Sequence, residues 1–265
     1  FQTGTVGEGS DADSLDLPGV QQQLLEAVAA TGKPMVVVLT SGRPYNLGGL
    51  EDGVAAFVWA FAGGQEGGPA LVDVLTGAAE PSGRLPVSVP RNVGAVPYYY
   101  NHKMKSAGTP IARHFGTRYP FGFGRSYTSF ELADLEVDAS EVDTAGEMRV
   151  RFAVDNAGAR GGVAVPQLYV RDLLASVVRP VKELKAFGRV ELEPGERARV
   201  AFAVPADMLG FTGLEGRRIV EPGEVELQVG LSSADIRLRA TVTLTGETRT
   251  LGRGWRMESR CTIER

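Results

Sequence analysis

The residues that most invite chemistry come first in the chain. In Val6-Gly7-Glu8-Gly9-Ser10-Asp11-Ala12-Asp13-Ser14-Leu15-Asp16-Leu17-Pro18-Gly19, Glu8 stands between two glycines and ahead of a loop of small and acidic residues. No apolar pattern ties it to a core, and a carboxylate in such a setting can exchange protons. The same composition also suits a solvated connector. Asp11 and Asp13 lie near enough in sequence to matter: their charge would raise the Glu8 pKa and keep it protonated, whereas either could equally cap a helix.

Other candidates have ordinary structural readings beside the functional ones. Glu66 lies in Gly63-Gly64-Gln65-Glu66-Gly67-Gly68 at a helix start, where a first-turn carboxylate complements the helix dipole. That loop lacks both the P-loop Lys-Ser/Thr and the dinucleotide spacing, so no nucleotide or other cofactor is expected. Asp73 reads as structural. His102 and His114 have no acidic or sulfur partners at ligand spacing, and no metal is expected. Tyr98, Tyr99, Tyr100 and His102 could line a sugar entrance or pack between domains. Arg43, at the carboxyl end of a strand, could hydrogen-bond sugar hydroxyls or organise the Glu8 loop.

The elements that must position these residues are legible in turn. Val20, Leu24, Leu25, Val28 and Ala29 after Pro18 predict an amphipathic helix that stops at Thr31-Gly32-Lys33-Pro34. Met35–Thr40 is a continuous β-branched run, as expected of a strand buried on both faces. Ser41-Gly42-Arg43-Pro44-Tyr45 then turns where open α/β sheets place ligand loops. Val54–Ala60 predicts a second strand, and a helix runs from the Gln65–Pro69 segment to Gly77.

From Glu80 to Phe130 the chain is rich in Pro, Gly and aromatic residues and reads as an ordered loop region. Alternation then predicts strands over Phe130–Val137, Met148–Asn156, Val163–Arg171, Val181–Val190, Ala198–Val204, Glu224–Gly230 and Ile236–Leu244, an immunoglobulin-like or fibronectin type III-like sandwich. Residues 247–265 have little periodicity and are expected to form an arm or loose tail.

Composition limits the function classes. The chain has 265 residues, of which 43% are apolar, enough for one large or two ordinary domains. A net charge of -4 with scattered basic residues argues against nucleic acid or anionic lipid as partners. No apolar run reaches the ~18–20 residues of a membrane span. The single cysteine, Cys261, can form no intrachain disulfide.

Several blocks resemble glycoside hydrolase family 3 β-glucosidases: Gly32-Lys33-Pro34 with Val36–Leu39 and Gly42-Arg43-Pro44; Ala62–Gly68; Asp73–Gly77; Pro81–Pro86; and Tyr119–Gly124 with Ser126–Phe130. Val178–Phe187 and Leu192–Glu196 resemble the family's C-terminal domain. The resemblance implies an α/β plus all-β chain: the C-terminal part of an α/β sandwich domain over 1–96 carrying the acid/base loop, an aromatic and Gly-rich linker over 97–129, a fibronectin type III-like β-sandwich over 130–246 and a tail over 247–265.

By the same resemblance Glu8 is the general acid/base of a retaining β-glucosidase. Its nucleophilic aspartate would come from an N-terminal (β/α)8 barrel on a separate chain or a cleaved part. The implied substrate is a β-glucoside, and secretion is expected, with the signal on that other segment. The contrasting reading is a carbohydrate- or surface-binding sandwich module without catalysis. An isolated sandwich, however, needs no half of an α/β domain with an open sheet edge.

Overall fold

The computed structural model describes residues 9–47, 49–50, 53–104 and 116–265. The described residues fall into two units, one drawn from 9–79, 89–98 and 116–118, the other from 80–88, 99–104 and 119–265.

In the first unit, helix α1 spans Gln21–Ala29 and α2 spans Gly67–Thr76. The start of α1 falls three residues after Pro18 because Gly19 takes φ 65°, a left-handed conformation incompatible with a helical turn. Gly77 closes α2 at φ 78°, a left-handed cap of the kind glycine favours. Strand β1 (Val36–Leu39) pairs in parallel with β2 (Ala56–Trp59), Val36 opposite Ala56 and Leu39 opposite Trp59. Short strands β3 (Val89–Pro90) and β4 (Thr117–Tyr119, whose last residue is counted in the second unit) form a further small sheet.

The expectation that β1 is buried on both faces is corrected. Val37 and Leu39 are buried with Leu17, Tyr45 and Leu47, and Leu25 of α1 packs against them. Val36, on the opposite face, is 50% exposed. Alternate residues of a strand face opposite ways, and only the Val37/Leu39 face of this two-stranded sheet carries a buried cluster.

The second unit contains β5 (Phe130–Val137), β6 (Glu141–Asp143), β7 (Glu147–Asn156), β8 (Gly162–Ala164), β9 (Gln167–Asp172), β10 (Glu183–Phe187), β11 (Val190–Leu192), β12 (Arg197–Pro205), β13 (Phe211–Thr212), β14 (Arg218–Val220), β15 (Gly223–Gly230), β16 (Ile236–Thr245), β17 (Arg249–Thr250) and β18 (Arg260–Glu264). One sheet has the order β10-β9-β15-β16-β6 and another β18-β12-β7-β5. Inward-facing residues alternate along the strands: Val200, Phe202 and Val204 of β12 join Val150, Phe152 and Val154 of β7 and Leu227 and Val229 of β15 in one core. The Phe152 and Phe202 rings meet at 5.4 Å.

Two predicted strands are each divided. Val163–Arg171 breaks into β8 and β9 around Pro166, which lacks the N–H a continuous ladder needs. Val181–Val190 breaks into β10 and β11 around Gly188, whose N–H donates to the Pro166 carbonyl at 3.2 Å. The halves then sort into different sheets, β9 with β10 and β8 with β11. Residues 247–265, expected as an arm or loose tail, contribute β17, which pairs with β14, and β18, which runs antiparallel along β12 from Arg199 opposite Glu264 to Ala203 opposite Arg260.

Candidate active site

Glu8 lies outside the described residues, as does His114. What the structure describes is the loop that follows Glu8 and how it is held. Gly9 has φ 72°, in the left-handed region that favours glycine. The next residue, Ser10, presents its carbonyl to Arg43, whose Nη2 donates to it. Further along, the Asn46 N–H donates to the Leu15 carbonyl at 2.7 Å, and Asp16 and Asn46 form a parallel bridge. Leu17 then enters the core beside Tyr45 and Leu47.

The turn that receives this loop is itself braced. Ser41 Oγ accepts from the Arg43 N–H at 2.9 Å and donates to the Arg43 carbonyl at 3.0 Å, and the Tyr45 N–H donates to the same carbonyl at 3.0 Å. Gln22 Nε2 of α1 reaches the Leu47 carbonyl at 3.3 Å. Residues 10–17 are therefore strapped to the segment leaving the carboxyl end of β1, the end of a parallel strand at which α/β sheets bind ligands.

Asp11 and Asp13 are exposed in this loop. Neither caps α1, whose N-cap residue is Val20 with no side-chain cap. At the end of β2, Phe61 takes φ 49°, unusual for an aromatic residue. A Cβ on Gly63 would come within 2.9 Å of Gly67 Cα, so the strand-to-helix turn requires glycine there. Glu66 is the N-cap of α2 and not a first-turn residue; its side chain makes no capping bond, while its carbonyl accepts from Ala70 at 3.1 Å. Asp73 is exposed on α2, and its carbonyl accepts from Ala79 at 3.0 Å.

Tyr100 and His102 belong to the sandwich unit. Tyr100 stacks on Phe121 at 4.2 Å, meets Tyr169 edge-on at 5.8 Å and accepts the Leu184 N–H at 3.0 Å through its hydroxyl. Burial, foremost, pushes its pKa up. His102 Nδ1 lies 2.9 Å from the Lys103 carbonyl, and the His102 carbonyl accepts from Val181. Tyr99 is 64% exposed.

The Val178–Phe187 motif has a structural explanation. Arg179 pairs with Glu183 at 2.9 Å and Asp172 at 3.3 Å, and its guanidinium lies 4.3 Å over the Phe211 ring. Lys185 donates to the Met208 carbonyl at 2.6 Å, and burial pushes its pKa down. Among the described residues no group of three or more His, Cys, Asp or Glu could hold a metal, and no helix is long and apolar enough to cross a membrane.

Residue-type reasoning missed Ser10, Leu15 and Asn46, because they act through backbone groups that carry no residue signature. Arg43 was recognisable from its place after a strand, but its partner 33 residues earlier in the chain was not.

Residues 1–127 match the model of the glycosyl hydrolase family 3 C-terminal domain, and residues 164–233 match the fibronectin type III-like domain. A periplasmic beta-glucosidase of Salmonella typhimurium is 37% identical over 247 residues, covering 88% of this chain and 32% of the relative. A beta-xylosidase of Formosa agariphila is 39% identical over 245 residues, covering 91% of this chain and 34% of the relative. The crystal structure of a Listeria innocua beta-glucosidase in complex with glucose superposes with a TM-score of 0.84 at 33% identity, covering 92% of this chain and 35% of that one. The chain thus spans about a third of the length of these relatives. Two domain models in this order, over a fold shared with these enzymes, make the chain a member of glycoside hydrolase family 3, matching the α/β C-terminal domain and the fibronectin type III-like domain of that family.

Proposed function

We propose that the enzyme carrying this chain is a retaining β-glucosidase that removes terminal β-D-glucosyl residues, with Glu8 as its general acid/base. The observation that carries this reading is the strapping of residues 10–17 to the segment after β1, which gives the neighbour of Glu8 a braced backbone at the ligand-binding end of a parallel strand. Support for the glycoside comes from the relatives, named beta-glucosidase and beta-xylosidase. A β-xyloside is accordingly the second substrate to test.

The chemistry calls for two carboxylates about 5–5.5 Å apart. An aspartate from the barrel segment, a partner outside this chain, attacks the anomeric carbon while Glu8 gives its proton to the departing glycosidic oxygen. In the second half, ionised Glu8 takes a proton from water as that water attacks the anomeric carbon and releases the aspartate. Glu8 ends protonated, ready for the next turnover. An extracellular or periplasmic site of action fits the periplasmic relative.

The test is Glu8→Gln in the complete enzyme. Hydrolysis of an alkyl β-glucoside should fall by about 10²–10⁴-fold, the usual contribution of a general acid/base. An aryl glucoside with a good leaving group should lose less in glycosylation, and azide should restore turnover by attacking the glycosyl-enzyme without base assistance. Unchanged hydrolysis of the alkyl glucoside would remove Glu8 from the mechanism.

A further inference from the structure

We infer that the free edge of β18 is an interface for a second copy of this chain, the two β18 strands pairing antiparallel about a two-fold axis at Thr262 and joining two four-stranded sheets into one. Among the described residues β18 is an outer strand of the order β18-β12-β7-β5, and all five of its residues, Arg260–Glu264, are exposed. One side of its backbone is bonded to β12, which leaves the other as a row of N–H and C=O groups able to take a further strand.

The other outer strands of the two large sheets carry features that discourage such pairing. β5 has a bulge between Ala133 and Glu136, with Asp134 at φ 53°. β10 is bulged between Leu184 and Ala186, and β6 is only three residues long, with Glu141 and Asp143 exposed. Bulges, short length and like charges keep sheet edges apart. β18 has none of these: its register with β12 runs unbroken over five residues, and its two charges are of opposite sign.

The strand also matches itself in one register. With Thr262 opposite Thr262 of the second copy, Arg260 falls opposite Glu264 of the second copy and Glu264 opposite its Arg260, so the two-fold creates two opposite-charge pairs. Sliding the strands by two residues sets one of these charges against Thr262 instead. Arg260 is steadied by Glu147 at 3.1 Å yet leaves 69% of its side chain exposed, and Glu264 is in no ion pair among the described residues. On the opposite face, Cys261 and Ile263 lie across from the core residues Phe202 and Val200 of β12. Pairing sets Ile263 of the second copy against Cys261, beside the groove that Cys261 forms with the exposed Phe187, and withdraws apolar surface from water.

The experiment is sedimentation velocity of the complete enzyme over a range of concentrations, with Arg260→Glu, Glu264→Arg and an equimolar mixture of the two variants. The parent should dimerise reversibly. Each variant alone turns both charge pairs into like-charge pairs and should raise the dimer Kd by about tenfold or more. The mixture pairs Glu with Arg at both positions and should regain the parent's Kd. Thr262→Cys in a Cys261→Ser background should form a disulfide-linked dimer that Cys261→Ser alone does not, because opposed Cα atoms of an antiparallel pair lie about 4.5–5.5 Å apart, within disulfide reach.

A parent that stays monomeric, as when another segment of the complete enzyme or a different protein covers β18, overturns the inference. So does a dimer that the charge variants leave unchanged, or a mixture that does not recover. Should Arg260→Glu not fold for want of its contact with Glu147, the other two variants decide: a weakened dimer in Glu264→Arg together with cross-linking in Thr262→Cys supports the interface, and failure of either overturns it.

Discussion

The carboxylate of Asp207 accepts the backbone N–H of Arg256 at 2.7 Å, tying the arm that follows β17 to the turn after β12. Arg249 donates to the other oxygen of the same carboxylate and also reaches the Thr144 carbonyl at 2.7 Å. Arg218 lies 4.3 Å over the Trp255 ring, and Arg260 reaches Glu147 at 3.1 Å. Residues 249–260 are thus clasped at several points, and only the Asp207 carboxylate among these groups is almost fully buried, with 8% of its side chain exposed.

That carboxylate makes the clasp pH-sensitive. Burial works to raise the Asp207 pKa, but the Arg256 N–H and Arg249 hydrogen bonds and the charges of both arginines outweigh it and hold it below the ordinary value. A depressed folded pKa stabilises fully above the unfolded value, about 3.9 for aspartate, and the stabilisation is lost as pH falls through the folded one. Asp207→Asn should therefore lower unfolding stability at pH 7 by on the order of 2 kcal/mol. The gap from the parent should shrink as pH drops below about 4. Urea melts at pH 7 and at acid pH check the prediction, and a pH-independent gap would contradict it.

Asn156 should be among the most sensitive positions of the sandwich. It is 1% exposed, and its Nδ2 donates to the Arg160 carbonyl at 2.7 Å and the Leu192 carbonyl at 3.0 Å. Its Oδ1 accepts from Thr128 Oγ1 at 2.6 Å and from the Gly158 N–H at 3.1 Å. Asn156→Ala strands these partners, so a loss of roughly 2–4 kcal/mol is expected. The measurement is the denaturant midpoint with unchanged m-value.

Gly9 should be needed for activity and not for the stability of the sandwich. A side chain there meets no atom of the described residues within 4 Å, and the penalty of Gly9→Ala expected here is that of its φ of 72°. That costs roughly 1–2 kcal/mol for a residue with a Cβ, and less for asparagine. In the complete enzyme Gly9→Ala should lower kcat/KM, Gly9→Asn should lower it less, and the unfolding midpoint of the sandwich should stay at the parent value. Equal activity of the alanine variant and the parent would show that the turn after Glu8 is not catalytically constrained.

Elements whose signals are local were legible from residues alone. The 3.6-residue apolar spacing placed α1 within three residues of its true start, and Gly77 marks the end of α2, closing it from the left-handed conformation, while α1 ends at a right-handed Ala30 two residues before Gly32. Alternation identified β5, β7, β12, β15 and β16, where one face meets the core and the other solvent. The Glu8 loop was singled out by its glycines and its resemblance to a family, and the chain's place in that family follows from residues in order along the sequence.

Tertiary structure decided whatever depends on partners distant in sequence. The breaks at Pro166 and Gly188 look like single interruptions until each half finds a different sheet. β18 has too short and too polar a pattern to announce itself, and it exists because β12 offers an unpaired edge. Val36 reads like Val37, yet only one of them faces the buried cluster. The bond from Arg43 to the Ser10 carbonyl joins a side chain to a backbone oxygen that every residue possesses. Sequence therefore determined which residues could do chemistry and the local elements around them, while the folded chain decided which backbone groups hold them, because hydrogen-bond partners are chosen by proximity in space and leave no mark in residue type.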